Sequence, residues 1–358
     1  GGFGVQESAL PMQRLPGSSC NFATLIRNGM AVITRIALFL LCMSPVLLEG
    51  QWQLSEKGEI RILTCGPGQS ELYSAFGHSA VRVRDPVSDL DLVYNYGVFN
   101  FNQPNFYLNF ARGNLQYKLA VQDYGGFVRS YREDHRYVHE QILQLSPRQK
   151  QAYFEFLQIN AQPENRTYAY DYFYDNCATR IRDGLKTVLG DSLQFARDFV
   201  QRQESFREAC DRYLRYQPWG DLGIDLCLGL PMDKEMSDWE YMFLPDYIES
   251  GMAQAQLITA RGFKPLVQET VRTGNPTEKG APEKSLWTPL LSGWLLLALT
   301  LLLSLAARVG RFSIRGFDLA LMIITGLLGW FLFLLWTITD HRAAADNLNL
   351  LWAVPWQF

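Results

Sequence analysis

The residues that could carry covalent chemistry lie in two short stretches far apart in the chain. The first is Ala75-Phe76-Gly77-His78-Ser79-Ala80-Val81-Arg82-Val83, where a histidine stands between a glycine turn and the start of an alternating strand. The second is Tyr174-Asp175-Asn176-Cys177-Ala178-Thr179-Arg180. Asn176 or Asp175 as a helix N-cap puts Cys177 in the first helical turn, where free N–H groups and the positive end of the macrodipole favour thiolate over thiol. A histidine within hydrogen-bond reach of that sulfur would take its proton and later return it to a leaving group. A third polar group must hold the ring, and Asn95, on the next strand, is the nearest candidate. The chemistry predicted is nucleophilic attack by Cys177, with backbone N–H groups around it stabilising the oxyanion. The competing reading makes Cys177 a small buried hydrophobe and His78 a satisfied structural residue. A cysteine at a helix start beside Asn and Thr is not in a typical apolar core position.

Other polar residues carry weaker signals. Asn176, Arg180 and Tyr94 lie in the same motifs and are the candidate substrate contacts, although salt bridging or capping is the default for Arg180, Asp225 and Asp233. His135 and His139 are four apart with Glu133 and Glu140 nearby, superficially a metal pair. The segment alternates like a strand and offers no third ligand, so they read as structural, and neither a metal nor another cofactor is expected. Cys65, before the turn Gly66-Pro67-Gly68, reads as structural ahead of a reactive thiol or half of a disulfide. The aromatics between Asn100 and Phe110 could line an acyl groove, but sheet packing is the favoured reading.

These residues need a scaffold, and the patterning supplies one. Between Glu59 and Leu145 the apolar period is mostly two: Val81 and Val83; Leu92, Tyr94, Tyr96 and Val98; Leu115, Tyr117, Leu119 and Val121. Half-buried strands of an antiparallel sheet are expected. Ser146-Pro147 caps and opens a helix to about Asn160, and Asp175-Asn176 opens another carrying Ile181, Leu185, Val188 and Leu189. A longer charged helix is expected from about Ser192 to Tyr216, and a last one from Phe243 to about Gln256. The fold class is α+β, an antiparallel sheet with packed helices, followed by C-terminal transmembrane helices.

Of the 358 residues 48% are apolar and 19% charged, and 33 basic against 36 acidic residues leave a net charge of −3. That excludes a broad electrostatic footprint for nucleic acid. The apolar residues pool in three blocks. Residues 1–29 lack periodicity and read as a misassigned upstream segment, with Met30 the better start. Residues 30–50 have the charged and apolar regions of a signal peptide, or of an uncleaved anchor. Residues 51–270 form an exported domain, 271–285 a Thr-, Gly- and Pro-rich linker, and 286–358 a membrane region with spans near 286–306 and 317–338. The loop between the spans carries Arg308, Arg311 and Arg315 and no acid, which makes it cytoplasmic and puts the domain on the other side. Cys20 and Cys42 fall in segments expected to be absent from the mature protein. The remaining Cys65, Cys177, Cys210 and Cys227 permit disulfides after export, with at least one free thiol expected.

Five motifs, in order, resemble the Lnb N-terminal periplasmic domain family: Leu63-Thr64-Cys65-Gly66-Pro67-Gly68, Phe76-Gly77-His78, Tyr94-Asn95-Tyr96-Gly97, Tyr174-Asp175-Asn176-Cys177-Ala178-Thr179 and Phe243-Leu244-Pro245-Asp246-Tyr247. The likeness covers about residues 52–358. The chain order of His, second polar residue and late Asn-Cys also resembles the circularly permuted NlpC-type papain-like enzymes, including relatives of lecithin:retinol acyltransferase. The chain ends short of the longer family pattern, so the membrane region is expected to be truncated. The resemblance implies lipoprotein N-acylation at the inner membrane of a Gram-negative bacterium, with the catalytic domain in the periplasm, Cys177, His78 and Asn95 catalytic, a membrane phospholipid as acyl donor and a lipoprotein as acceptor. A periplasmic cysteine peptidase or amidase acting on cell-wall peptide, or a non-enzymatic envelope scaffold, are the alternatives.

Overall fold

Alternating apolar residues between Glu59 and Leu143 build most of a seven-stranded antiparallel sheet, which later segments complete. The computed structural model describes residues 52–100, 102–114, 116–273, 286–310 and 313–357, and residues 53–358 belong to one unit. The upstream segment and the signal or anchor, as well as most of the linker, lie outside the described residues.

In chain order the elements are β1 (Glu59–Cys65), β2 (His78–Asp85), β3 (Leu90–Val98), α1 (Phe106–Arg112), β4 (Gln116–Asp123), α2 (Tyr124–Glu133), β5 (Val138–Leu143), α3 (Pro147–Ala161), β6 (Thr167–Ala169) and α4 (Cys177–Leu189). Then follow β7 (Leu193–Gln194), α5 (Phe206–Leu214), α6 (Pro218–Cys227), α7 (Asp238–Tyr241), α8 (Pro245–Gln254), β8 (Gln256–Thr259), β9 (Gly262–Pro265), β10 (Val267–Thr273), α9 (Pro289–Val309) and α10 (Arg315–Ile338). The large sheet runs β10-β5-β1-β2-β3-β4-β6, and β7-β8-β9 form a small second sheet.

Period-two alternation sends side chains to both faces, and both are covered. Ile60, Ile62, Val81, Val83, Tyr94 and Tyr96 form one core with Tyr153, Phe154 and Leu157 of α3 and Ile181 and Leu185 of α4. On the other face Leu63, Cys65, Ala80 and Val93 meet Phe127 and Val128 of α2. Each large side chain taken fully out of water contributes about 1.5–3 kcal/mol, so this double burial dominates the fold. Across β1, β2 and β5, Glu140 accepts from Arg61 (2.9 Å) and Arg82 (2.7 Å), which ties three strands together below α2.

Two sequence expectations change. No continuous helix spans 192–216: Leu193 and Gln194 pair into the small sheet, Asp198 takes a left-handed conformation, and Phe199 and Val200 turn into the core. The helix begins only at Phe206, where Ser205 and Glu208 form a capping box. The last helix also ends sooner, and 256–273 returns as three strands, the last of which extends the large sheet beside β5 and takes the first residues assigned to the linker.

The apolar blocks form α9 and α10, each long and apolar enough to cross a membrane. After α10 the chain folds back as short 3-10 turns rather than a further helix. A Cβ on Gly329 of α10 would lie 2.1 Å from the Ala353 carbonyl oxygen, and one on Gly229 of the domain 1.6 Å from that of Ala345. The returning segment therefore packs tightly on both the span and the domain.

Candidate active site

Three elements bring the sequence-predicted triad together at one end of the large sheet. Gly77 has φ +77°, and a Cβ there would stand 2.8 Å from the Cys65 carbonyl oxygen. Only glycine fits that turn, which delivers His78 as the first residue of β2. Asn95 lies on β3 just before a register shift that includes Gly97, itself at φ +84°. A Cβ on Gly97 would sit 3.7 Å from that of Cys177, an ordinary contact, so the left-handed turn rather than crowding calls for glycine beside the nucleophile. Asn176 caps α4: its Oδ1 accepts from Ala178 N (2.9 Å) and Thr179 N (3.0 Å), and Thr179 closes a reciprocal capping box. Cys177 is thereby fixed at the first helical position.

His78 Nε2 donates to Asn95 Oδ1 at 2.6 Å. Because a side-chain amide oxygen only accepts, that bond holds the proton on Nε2 and leaves Nδ1 for the sulfur. Burial alone would push the Cys177 thiol up, but the neighbouring His78 charge, its hydrogen bond, and the N–H groups of Ser79 and Ala178 hold it below its ordinary value of 9.0. Burial pulls His78 down, and the Cys177 charge, its hydrogen bond and the Asn95 bond outweigh this and raise it above 6.5. Opposite shifts of two hydrogen-bonded groups favour passage of the thiol proton to the ring. The buried environment strengthens the attraction.

The other predicted contacts are placed differently. Asn176 is 5% exposed, and its Nδ2 donates to the carbonyls of Tyr172 (2.8 Å) and Phe243 (2.9 Å). Its amide is fully used in positioning Cys177, not offered to a substrate. Tyr94 is buried edge-on to Phe154, in the core shared with α3, which leaves it no open side. Arg180 is engaged by Asp175 through two hydrogen bonds and lies 3.9 Å above the Tyr168 ring. It borders an open cavity of about 470 Å³ whose lining includes neither Cys177 nor His78.

Sequence reading missed four contributors. Ser79 and Ala178 bring backbone N–H groups to the sulfur, and Gly97 makes the left-handed turn beside it. Arg136 is half-buried at the same sheet end, donates from Nε to the Gly66 carbonyl at 2.7 Å, and pairs with no carboxylate among the described residues. Its positive charge opposes protonation of His78. Only the glycines left a trace in sequence, as turn residues beside the motifs.

All four described cysteines are free thiols. Cys65 pairs across the sheet with His78, but burial pushes its thiol up to about 12. It is a poor nucleophile beside a good one. His139 meets Glu249 at 3.0 Å, whereas His135 occupies a left-handed turn before β5. Carboxylates converge elsewhere: Asp211, Asp221 and Asp225 offer oxygens within 4.8 Å of one another, close enough to hold a cation. Burial and the two neighbours raise Asp221 to about 6. Arg207 already pairs with Asp225 at 3.0 Å and with Asp233 at 2.6 Å.

The family model for the Lnb N-terminal periplasmic domain matches residues 55–209, and that for the Lnb transmembrane domain matches residues 281–358. The chain belongs to the Lnb family. No curated protein and no solved structure matches it. The first match holds His78, Asn95 and Cys177, and the second holds α9 and α10. This Lnb-family chain is therefore a membrane protein with a periplasmic part and an enzyme-like domain.

Proposed function

We propose that the chain is a membrane-bound acyltransferase, working at the periplasmic face of a Gram-negative inner membrane. It moves an acyl chain from a phospholipid through a Cys177 thioester to the α-amine of a lipoprotein N-terminal cysteine. The observation that carries this reading is the hydrogen-bonded Cys177–His78–Asn95 relay with a depressed thiol in a membrane protein.

The Cys177 thiolate attacks the ester carbonyl carbon. The Ala178 and Thr179 amides are held by the Asn176 cap, which leaves the N–H of Cys177 itself as the first-turn donor for the oxyanion. As the C–O bond breaks, the His78 imidazolium gives its proton to the departing alkoxide, and a lyso-lipid leaves. The acceptor amine then attacks the thioester, His78 takes the amine proton, and the thiolate is regenerated. Asn95 keeps the ring aligned through both halves. Tethering by α9 holds the domain near substrates confined to the bilayer surface, which raises their effective concentration.

Mass spectrometry of a lipoprotein N-terminus, after incubation with the reconstituted chain and phospholipid carrying isotope-labelled acyl chains, tests this reading. A labelled N-acyl group that requires Cys177 is expected. N-acylation without label would move the donor to the ester chains of the lipoprotein itself. No N-acylation, with release of cell-wall peptide fragments instead, would replace acyl transfer by the amidase reading.

A further inference from the structure

Helix α1 presents an unusual surface for its position. Tyr107 is 76% exposed, Leu108 48% and Phe110 45%, on a helix that connects β3 and β4 at the same sheet end as His78 and Cys65. We propose that this face docks on the lipid bilayer and sets the active-site end of the sheet against the membrane surface.

Two contacts fix the depth of α1. Asp340, two residues past the outer end of α10, donates from its backbone N–H to the Arg112 carbonyl at 2.8 Å. His341 Nε2 lies 3.0 Å from the Phe110 carbonyl oxygen. A Cβ on Gly113 would stand 2.9 Å from the backbone of Asp340 and His341, so α1 and the end of the span pack without a gap. The helix is thus held where the hydrocarbon core gives way to headgroups. A second anchor lies at the outer end of α9, where Trp219 Nε1 of α6 donates to the Trp287 carbonyl at 3.0 Å. Tryptophans and tyrosines favour that boundary, with an apolar ring in lipid and a polar edge in water. An interfacial helix gains affinity from the apolar area it buries, and α1 has three large apolar side chains to offer.

Inward from α1 the rings continue. Phe106 stacks on Phe99 (6.1 Å between centroids), Phe99 meets Tyr117 (5.1 Å), and Tyr117 stacks on Tyr170 (4.2 Å). Tyr170 lies against Gly97, the residue that faces Cys177. An apolar wall therefore leads from the docking face toward the nucleophile. Its use as an acyl-chain path rests on the acyltransferase reading, whereas the docking itself does not.

The test places benzoylphenylalanine at Tyr107 or Phe110 of the full chain with Cys177→Ala, in nanodiscs of phosphatidylethanolamine and phosphatidylglycerol. The same probe at Val87, 65% exposed in the hairpin at the opposite end of the same strands, is the control. Irradiation should give lipid adducts at 107 and 110 roughly tenfold or more above those at 87. Equal yields at all three positions, or no lipid adducts at 107 and 110, would overturn the docking. Because the variant lacks the nucleophile, the result does not depend on acyl transfer.

Discussion

At the residue scale, reactivity rests on a thiol and an imidazole whose contact favours moving the proton from sulfur to the ring. The Cys177 thiol is lowered and the His78 imidazole raised by their contact, so activity should fall in acid as Cys177 is protonated and in base as His78 loses its proton. Iodoacetamide alkylation of Cys177 should titrate below the ordinary thiol, and His78→Ala should move that titration upward. An unchanged profile in His78→Ala would separate the two groups. Asn95→Ala removes a bond that favours protonated His78, so the alkaline limb of activity should shift toward lower pH. The loss of rate should reach about tenfold, the scale of one net hydrogen bond. A lower plateau with both limbs unmoved would limit Asn95 to packing.

At the element scale the site depends on one cap and two glycine turns. Asn176→Ala removes the acceptor for two first-turn amides and leaves the Tyr172 and Phe243 carbonyls without a partner. It should cost about 2 kcal/mol in thermal melts and slow Cys177 alkylation, and an unchanged melting temperature would contradict the cap. Much of this was legible in sequence. The period-two runs gave β2 to β4, and Asn176 beside Thr179 gave the helix start that holds Cys177. What escaped were elements decided by distant partners. Residues 256–273 have little alternation of their own and become strands because β5 and β7 offer free edges, while 193–200 leave the helical path because Phe199 and Val200 find burial elsewhere. Asn176 read as a substrate contact in sequence because no local pattern shows that Phe243, far downstream, takes its amide.

At the scale of the whole molecule, the domain and the membrane region meet through backbone surfaces too close for a side chain. Gly229 N–H donates to the Ala343 carbonyl at 2.7 Å, and a Cβ there has no room. Gly229→Ala should loosen this junction and, with overpacking worth about 1–3 kcal/mol, lower acyl transfer from vesicle lipid about tenfold. The pH profile of Cys177 alkylation should not move; a shift in it would tie the junction to the relay rather than to placement on the bilayer. The relay's chemistry is tested most directly by intact-mass spectrometry of the reconstituted chain after exposure to phospholipid vesicles without acceptor. The account predicts the mass of one acyl chain on Cys177, discharged by neutral hydroxylamine and missing from His78→Ala. An unmodified Cys177, or an acyl group on another residue alone, would contradict it.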